Sequence, residues 1–298
     1  MDLHALEQFL VVARLEHLSR AARELRIAQP SLSRTIARLE SELGAPLFDR
    51  AGRLRLNESG RLFRDHVERS LGELQAGRRA VAEAAREGVG GVRLASETFL
   101  TITGPLAAYK DAHPDIDVEL HQMPAADMHR ALNAREVDLC VASQPILGEG
   151  LDSVRLHDEP VWLAAPPGHR LASRTCVKVE ELREEPFVIS RPGHWQRRLL
   201  DLLFAGRNLS PRIVCEGDEP AALAGLVSAG IGLTLIPAMA RGADISAPGA
   251  WIGIDDPACR RTLTLHRVAG SRLSTAARQM HTTLADWPWN TADGGQRA

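Results

Sequence analysis

The pattern that most restricts this chain is a pair of short amphipathic helices predicted within residues 18–43. The first helix carries the small and apolar side chains Ala21, Ala22 and Leu25, which would let two helices cross closely. The second helix repeats apolar residues every three or four positions, the period of an amphipathic helix. Those positions are Leu32, Ile36, Leu39 and Leu43. The sequence therefore predicts a helix-turn-helix.

The opposite face of the second helix carries polar and cationic side chains. Such groups can contact base edges and phosphates in a DNA major groove. The candidate DNA-binding residues on this helix are Gln29, Pro30, Ser31, Ser33, Arg34 and Arg38. Helical hairpins with a solvated polar face also occur outside DNA binding, so that alternative remains open on this pattern alone.

A short hairpin is predicted after the second helix, with its turn near Ala51-Gly52. Apolar and basic residues alternate over residues 53–56, which places the arginines on one side of a strand. Basic side chains in such a wing are suited to the phosphate backbone beside the groove. The candidates are Arg50, Arg53 and Arg55.

A long proline-free helix is predicted for residues 57–87, followed by a glycine-rich hinge at 88–91. Apolar residues recur about every seven positions, which suits a helix that pairs with a copy of itself. The candidate dimerisation residues are Phe63, Val67, Leu71, Leu74 and Val81. A connector helix packed on its own chain would show a similar stripe, so this second interpretation stays open.

From residue 92 to residue 286, short apolar runs alternate with helical segments, which predicts an α/β architecture with parallel sheets. The predicted strands are 92–95, 116–120, 139–142, 161–165, 187–190, 212–216, 231–237 and 263–268. The predicted helices are 101–112, 127–136, 196–206, 220–229 and 274–285.

Charge is distributed unevenly along the 298 residues, a length that predicts two or three compact units. Residues 1–64 hold 11 Arg and no Lys against 8 acidic residues, a net +3, whereas the remainder carries −5. Because this excess is modest, DNA affinity should depend on local arginines. The chain has no leader-like segment and no apolar run of 18 residues, so we expect a cytoplasmic protein that does not span a membrane.

Motifs for catalysis or metal binding are missing from the sequence, which has no GxSxG, P-loop or HExxH pattern. The four cysteines are far apart and are expected to be free thiols. They are Cys140, Cys176, Cys215 and Cys259. We therefore expect no enzyme activity, no metal and no cofactor.

Several motifs follow one another in a fixed order. In the N-terminal part they include FLVVA at 9–13, QPSLSR at 29–34, LGAPLFDR at 43–50 and SG at 59–60. In the C-terminal part they include HPDI at 113–116, PGH at 167–169 and LVSAGIGL at 226–233. Together they resemble the LysR-type transcriptional regulators over almost the whole chain. Two positions depart from the family pattern, since Ala28 cannot cap the second helix and Asn57 replaces a threonine.

The resemblance implies a winged helix-turn-helix at 1–56, a linker and dimerisation helix at 57–87, and a two-lobed domain at 92–286. The two-lobed fold would be of the periplasmic-binding-protein type. Lobe I would comprise 92–160 and 266–286, lobe II would comprise 161–265, and the tail at 287–298 is expected to be disordered.

The resemblance further implies a transcription regulator that binds double-stranded DNA at a promoter inverted repeat. It would act as a dimer or tetramer, respond to a small effector and have RNA polymerase as a candidate partner. Two alternatives remain at this point. The α/β domain could serve only to assemble a DNA-binding oligomer, or the chain could be a two-lobed binding protein or enzyme.

An effector site is expected in the cleft between the lobes. Ser96 and Thr98 end the first predicted strand of the domain and should open a helix, whose N–H groups and hydroxyls suit a carboxylate. These hydroxyls could instead only cap that helix. Trp195 offers a flat apolar surface across the cleft, although core tryptophans are common. The candidate effector-binding residues are Ser96, Thr98, Ser143, His194, Trp195 and Gln196, whereas Ala125 lacks the polar group common in the family.

Overall fold

The structure is a computed structural model that describes residues 1–49, 52–84, 91–242 and 249–289. Of the sequence predictions, Arg50, hinge residues 88–90 and the tail from residue 290 lie outside the described residues. The chain divides into two compact units. The first is Met1–Gly88 with Asn133–Glu136, and the second is the remainder.

The N-terminal unit begins with three helices, α1 (Leu3–Leu15), α2 (Leu18–Glu24) and α3 (Gln29–Leu43). Helix α3 begins after Ala28, which makes no side-chain capping bond, and Pro30 lies in its first turn. It ends at Gly44, whose positive φ of 70° forms a left-handed C-terminal cap. The helix-turn-helix predicted from the sequence is therefore present.

A small hairpin follows, in which β1 (Phe48–Asp49) pairs antiparallel with β2 (Arg55–Leu56). The long helix α4 (Glu58–Ala84) starts where Asn57 Oδ1 accepts the Gly60 N–H at 2.8 Å, so Asn57 caps the helix. A Cβ at Gly60 would overlap the Leu47 carbonyl oxygen, so only glycine permits this close approach of α4 to the hairpin.

Part of helix α4 packs against the apolar core of the N-terminal unit, and part of it is exposed. Val67 is only 3% exposed, and Phe63 and Leu71 pack against the same core. The rings of Phe63 and Phe9 of α1 lie 5.2 Å apart. The prediction that Val67 lies in a seam between copies is therefore wrong, because the core of its own unit already buries it. Phe63 and Leu71 are half-buried, so each keeps some surface exposed. By contrast, Leu74 is 51% exposed and Val81 is 72% exposed.

The C-terminal unit opens with lobe I, in which three parallel strands lie in the order β4-β3-β5. Its elements are β3 (Gly91–Ser96), α5 (Thr103–Ala112), β4 (Asp117–Gln122), α6 (Ala125–Asn133) and β5 (Leu139–Ala142). Helix α9 (Thr275–Ala285) returns to pack beside α5 and β3.

Lobe II is built around the parallel pair β8 and β9, to which Leu233 adds a bridge at Phe187. Its elements are β7 (Cys176–Val177), the 3₁₀ turn Val179–Leu182, β8 (Pro186–Ser190), α7 (Trp195–Ala205), β9 (Arg212–Gly217), α8 (Pro220–Ser228), β10 (Thr234–Pro237), the 3₁₀ turn Ala238–Gly242 and β11 (Ala250–Ile254). Buried side chains around Leu163, Phe187 and Phe204 form its main core.

Two long strands, β6 (Leu151–Ala165) and β12 (Arg260–Val268), pass between the lobes. They pair antiparallel along the whole of β12, with a register shift at Leu263/Thr264. Strand β12 already pairs with β5 at Thr264, so the chain re-enters lobe I there and the predicted boundary after residue 265 is slightly late.

Most predicted elements of the α/β domain are present, with ends displaced by a few residues. The sequence missed β7, β11 and the first part of β6. That part of β6 is mostly half-buried or exposed and carries charged residues, so it lacks the apolar run by which buried strands are recognised. None of the described helices has the length and apolarity needed to cross a membrane.

Candidate DNA-binding surface and ligand cavity

The polar face of α3 is open to solvent. Gln29, Pro30, Ser31 and Arg34 are exposed, and Ser33 is half-buried. Within the described part of the chain, no acidic side chain forms an ion pair with the Arg34 guanidinium, whose Nε donates weakly to the Pro30 carbonyl at 3.4 Å. The front half of this helix therefore presents uncommitted donors.

Arg38, one turn further along α3, has a different environment. Its guanidinium lies 3.4 Å from Asp2 and 3.9 Å from Glu42. These exposed ion pairs are weak, but they offset part of the positive charge that Arg38 would offer to a phosphate. Arg34 is therefore the more available cation on the α3 face.

The hairpin after α3 has the alternation that the sequence predicted. Leu56 is buried and Leu54 packs against the core, while Arg53 and Arg55 are exposed. In the register of the hairpin, Arg55 lies opposite Asp49. Two arginines beside an exposed polar helix are what a phosphate-contacting wing requires.

The C-terminal unit contains a cavity between lobe I and lobe II. It encloses about 780 Å³ that protein atoms do not fill, part of it open to solvent. Among the predicted effector residues, Thr98, His194, Trp195 and Gln196 line it. Much of the wall is apolar and includes Leu100, Pro220, Leu223, Leu235, Ile236 and Met239. A mostly apolar wall with a few polar groups is typical of small-molecule sites.

Ser96 and Ser143 do not line this cavity. The Ser96 hydroxyl donates to the Thr98 carbonyl at 2.8 Å, within the loop that leaves β3. The helix that Ser96 and Thr98 were predicted to open instead begins at Thr103, because a turn closed by the Ile102 N–H and the Phe99 carbonyl comes first. The prediction that Ser96 and Thr98 open a helix is therefore wrong, although Thr98 itself lines the cavity.

Glu97, which the sequence analysis did not identify, accepts hydrogen bonds from donors beside that loop. It is 3% exposed, and its carboxylate accepts the Ser143 N–H at 2.6 Å and Gln144 Nε2 at 2.7 Å. Burial raises the pKa of Glu97, and these two hydrogen bonds, together with the charges of His194 and Arg261, oppose the rise. The chain thus supplies its own carboxylate to this end of the cavity.

Arg261 of β12, which lines the cavity, forms a buried ion pair with Glu159 of β6. Arg261 Nε donates to Glu159 Oε1 at 2.8 Å, and Nη2 donates to the same oxygen. Glu159 Oε2 accepts the Met239 N–H at 2.7 Å, and the guanidinium carbon lies 4.9 Å from the centre of the Trp195 ring. Burial lowers the pKa of Arg261, and the charge of Glu159 is the main effect that opposes this change.

Two buried polar atoms of residues in this wall have no hydrogen-bond partner among the described residues. They are Arg261 Nη1 and Thr234 Oγ1. Buried polar groups are seldom left unpaired in folded proteins, because the loss of hydration is then uncompensated. Among the described residues, one cationic donor and one hydroxyl of this wall are therefore left without a partner.

The other predicted effector-binding residues on lobe II, which are Gln196, His194 and Trp195, already make contacts within the protein. Gln196 accepts from Ser190 Oγ at 2.6 Å and donates to the Leu235 carbonyl at 2.9 Å, so its amide stabilises the lobe itself. His194 lies 3.7 Å from Asp218. Trp195 is 7% exposed and presents its ring to Arg261.

The sequence signal for the missed residues is weak. Glu159 and Arg261 lie beside strand-forming apolar runs, where a buried charge is normally paired, but the charged neighbours Asp158 and Arg260 hide that signal. Their partnership could not be read from the sequence, because 102 positions separate them. Across the described residues, no three His, Cys, Asp or Glu side chains are placed to hold a metal ion.

Comparison with known families identifies both parts of the chain. Residues 3–61 match the family described as "Bacterial regulatory helix-turn-helix protein, lysR family". Residues 85–288, more than half of the chain, match the LysR substrate binding domain. The chain belongs to the LysR family. This confirms the family that the linked sequence motifs indicated.

Curated relatives of this LysR protein extend over nearly its full length. It is 32% identical over 281 residues to the uncharacterized HTH-type transcriptional regulator YybE of Bacillus subtilis (strain 168), covering 93% of this chain and 96% of YybE. It is 33% identical over 272 residues to the HTH-type transcriptional regulator XapR of Escherichia coli (strain K12), covering 85% and 86% of the two chains.

Solved structures share the fold. The LysR family regulator CbnR superposes with a TM-score of 0.58 at 21% identity, over 95% of this chain and 98% of CbnR. HinK, a LysR family transcriptional regulator from Pseudomonas aeruginosa, superposes with a TM-score of 0.56 at 20% identity, over 96% and 98% of the two chains. The predicted fold class, a helix-turn-helix followed by a two-lobed α/β domain, is confirmed.

This LysR protein is therefore a DNA-binding transcription regulator with an effector-binding domain. Its relatives are transcriptional regulators and not enzymes, as the sequence predicted. The interpretation of the chain as a free-standing binding protein or enzyme is thereby set aside.

Proposed function

We propose that this LysR regulator binds a promoter inverted repeat as a homodimer or tetramer in the cytoplasm. In this proposal a small organic acid enters the cavity between the lobes and changes how the regulator binds DNA. RNA polymerase is the further partner that we propose, because a regulator bound beside a promoter lies within its reach.

The proposed DNA contact rests on the exposed face of α3 and on the hairpin beside it. Gln29, Ser31 and Arg34 would enter the major groove, where amide and guanidinium groups can pair with base edges. Arg53 and Arg55 would follow the phosphate backbone. Each half of an inverted repeat would take one copy of this unit, since a two-fold axis in the protein matches one in the DNA.

The proposed assembly uses the second half of α4. Leu74 and Val81 are seven residues apart, so they lie on one face of the helix, and both are exposed in the single chain. Exposed apolar side chains at this spacing favour pairing with another copy of α4. Tetramers would require a second contact, for which we propose the C-terminal unit.

The proposed effector site rests on one observation. A mostly apolar cavity between the lobes contains Trp195 and, behind it, the buried cation Arg261. An organic acid has the apolar body and the negative group that such a wall would accept. A molecule held by both lobes would favour one lobe arrangement, and only such a preference can shift a conformational equilibrium.

A cavity-filling variant tests this proposal. Ala224 lines the cavity and is 4% exposed, whereas Ala221 is exposed on the same helix, α8. Small organic acids would first be screened for those that change the DNase footprint at the promoter of the regulator's own gene. We expect Ala224→Leu to abolish that change and Ala221→Leu to preserve it. A response that persists in Ala224→Leu would place the effector elsewhere.

A further inference from the structure

We infer that Arg261 Nη1 and Thr234 Oγ1 together bind the carboxylate of the effector, and that this effector carries a single negative charge. The inference rests on the proposed function and assigns residues that the family resemblance did not indicate. It assigns the anion to Arg261 and Thr234 and not to the hydroxyls of Ser96 and Thr98.

Contacts within the protein already fix the position of the Arg261 guanidinium. Its Nε and Nη2 are committed to Glu159, and Glu159 is fixed in turn by the Met239 N–H. The Trp195 ring lies against the guanidinium. Only Nη1 lacks a partner among the described residues, so the geometry leaves one donor, in a fixed position, for an acceptor oxygen.

Thr234 supplies the second donor. It begins β10, is 3% exposed and lines the same cavity, yet its hydroxyl has no partner in the described part of the chain. An unpaired buried hydroxyl costs stability unless something else compensates. A carboxylate that accepts from both Thr234 and Arg261 would satisfy the two atoms at once.

The rest of the cavity limits what else the effector can carry. Glu97 is buried and brings a carboxylate to the wall. Asp218 also lines the wall, but its carboxylate is half exposed and lies 3.1 Å from the Arg191 guanidinium, so the repulsion comes mainly from Glu97. Like charges in a poorly hydrated space repel strongly, so a second negative group on the ligand would be disfavoured. The apolar side chains around Leu223 and Ile236 suit an apolar body. The ligand class is therefore an apolar monocarboxylic acid.

The first test needs no ligand. Thr234→Val removes the unpaired hydroxyl and keeps the shape of the side chain. We expect urea unfolding of the full-length protein to give an unchanged or higher free energy of unfolding. Thr264→Val, at a half-buried threonine of β12 outside the cavity wall, is the matched control. A clear loss of stability specific to Thr234→Val would show that the hydroxyl is already paired and would overturn the inference.

The second test uses acetate as the smallest carboxylate, acetamide as its uncharged counterpart and malonate as a diacid. Melting temperatures would be followed at constant ionic strength with chloride as the reference anion. We expect acetate to stabilise the wild type more than acetamide or malonate does. Thr234→Val and Arg261→Lys should raise the apparent Kd for acetate about fivefold or more, and Thr264→Val should leave it unchanged.

Three results would contradict the inference or a part of it. Equal stabilisation by acetate and acetamide would rule out a carboxylate subsite, and stronger binding of malonate would rule out the single-charge limit. Acetate binding that survives in Thr234→Val would reject these anchors. Such a result would leave the cavity proposal untouched, because Ala224→Leu decides that question separately.

Discussion

The Gln144 side-chain amide donates to the Glu97 carboxylate at 2.7 Å. The same nitrogen also donates to the Gly193 carbonyl at 2.7 Å. Glu97 and Gln144 belong to lobe I and Gly193 to lobe II, so one amide joins the lobes at the edge of the cavity. A ligand that contacts Glu97 would therefore act on a group that helps to hold the lobes together.

Gln144→Ala should loosen this junction. A hydrogen bond to a charged group contributes about 1.5–3 kcal/mol, so we expect the free energy of unfolding of the C-terminal unit to fall by that order. Small-angle scattering should also show a wider distribution of lobe separations. Gln75→Ala, at an exposed glutamine of α4, serves as the control. Unchanged stability and scattering would mean that the lobes are held by other contacts.

His266 should make stability depend on pH. Its Nδ1 lies 2.8 Å from Ser153 Oγ, and burial lowers the pKa of His266 from 6.5 to about 4. The unfolded chain then binds a proton more readily, so stability is lost as the pH falls from 6.5 toward 4. The full effect would be roughly 3 kcal/mol at most. In denaturant unfolding, His266→Gln should flatten the curve in this range. An equally steep curve would assign the loss to other groups.

Arg34→Ala should weaken specific DNA binding by about 1–3 kcal/mol, because Arg34 is the α3 cation without an ion pair among the described residues. Gel-shift titrations with the operator and with scrambled duplex would measure the change in specificity. Arg53→Ala is the contrasting variant. It should weaken binding to all sequences alike and reduce the salt slope by about one. The prediction fails if Arg34→Ala weakens both duplexes equally.

The oligomer should depend on the exposed half of α4. Leu74→Glu combined with Val81→Glu places like charges on the surface that would meet another copy, and analytical ultracentrifugation should then show a smaller species with a normal helix content. Val67→Glu should instead lower the melting temperature, because a buried carboxylate would be forced into the core of the N-terminal unit. An unaltered oligomer in the double variant would assign assembly to the C-terminal unit.

Local sequence patterns were sufficient to predict many of the helices and strands of this protein. The apolar stripe of α3 and the glycine at its end act within a few residues of each other, so the sequence determined the helix and its C-terminal cap. The same holds for the alternation of strands and helices after residue 92. The linked motifs then identified the family, and with it the two-lobed fold.

Tertiary structure decided which of the equivalent positions in a repeat are buried and which stay exposed. Val67 and Leu74 occupy the same place in the α4 repeat, yet α1 covers the first and leaves the second exposed. Arg261 and Glu159 meet only because two crossover strands run side by side, and a turn before Thr103 displaced the helix expected at Thr98. Periodicity reports which face of an element is apolar, whereas the partner of that face, or of a buried charge, depends on chain segments far away in sequence.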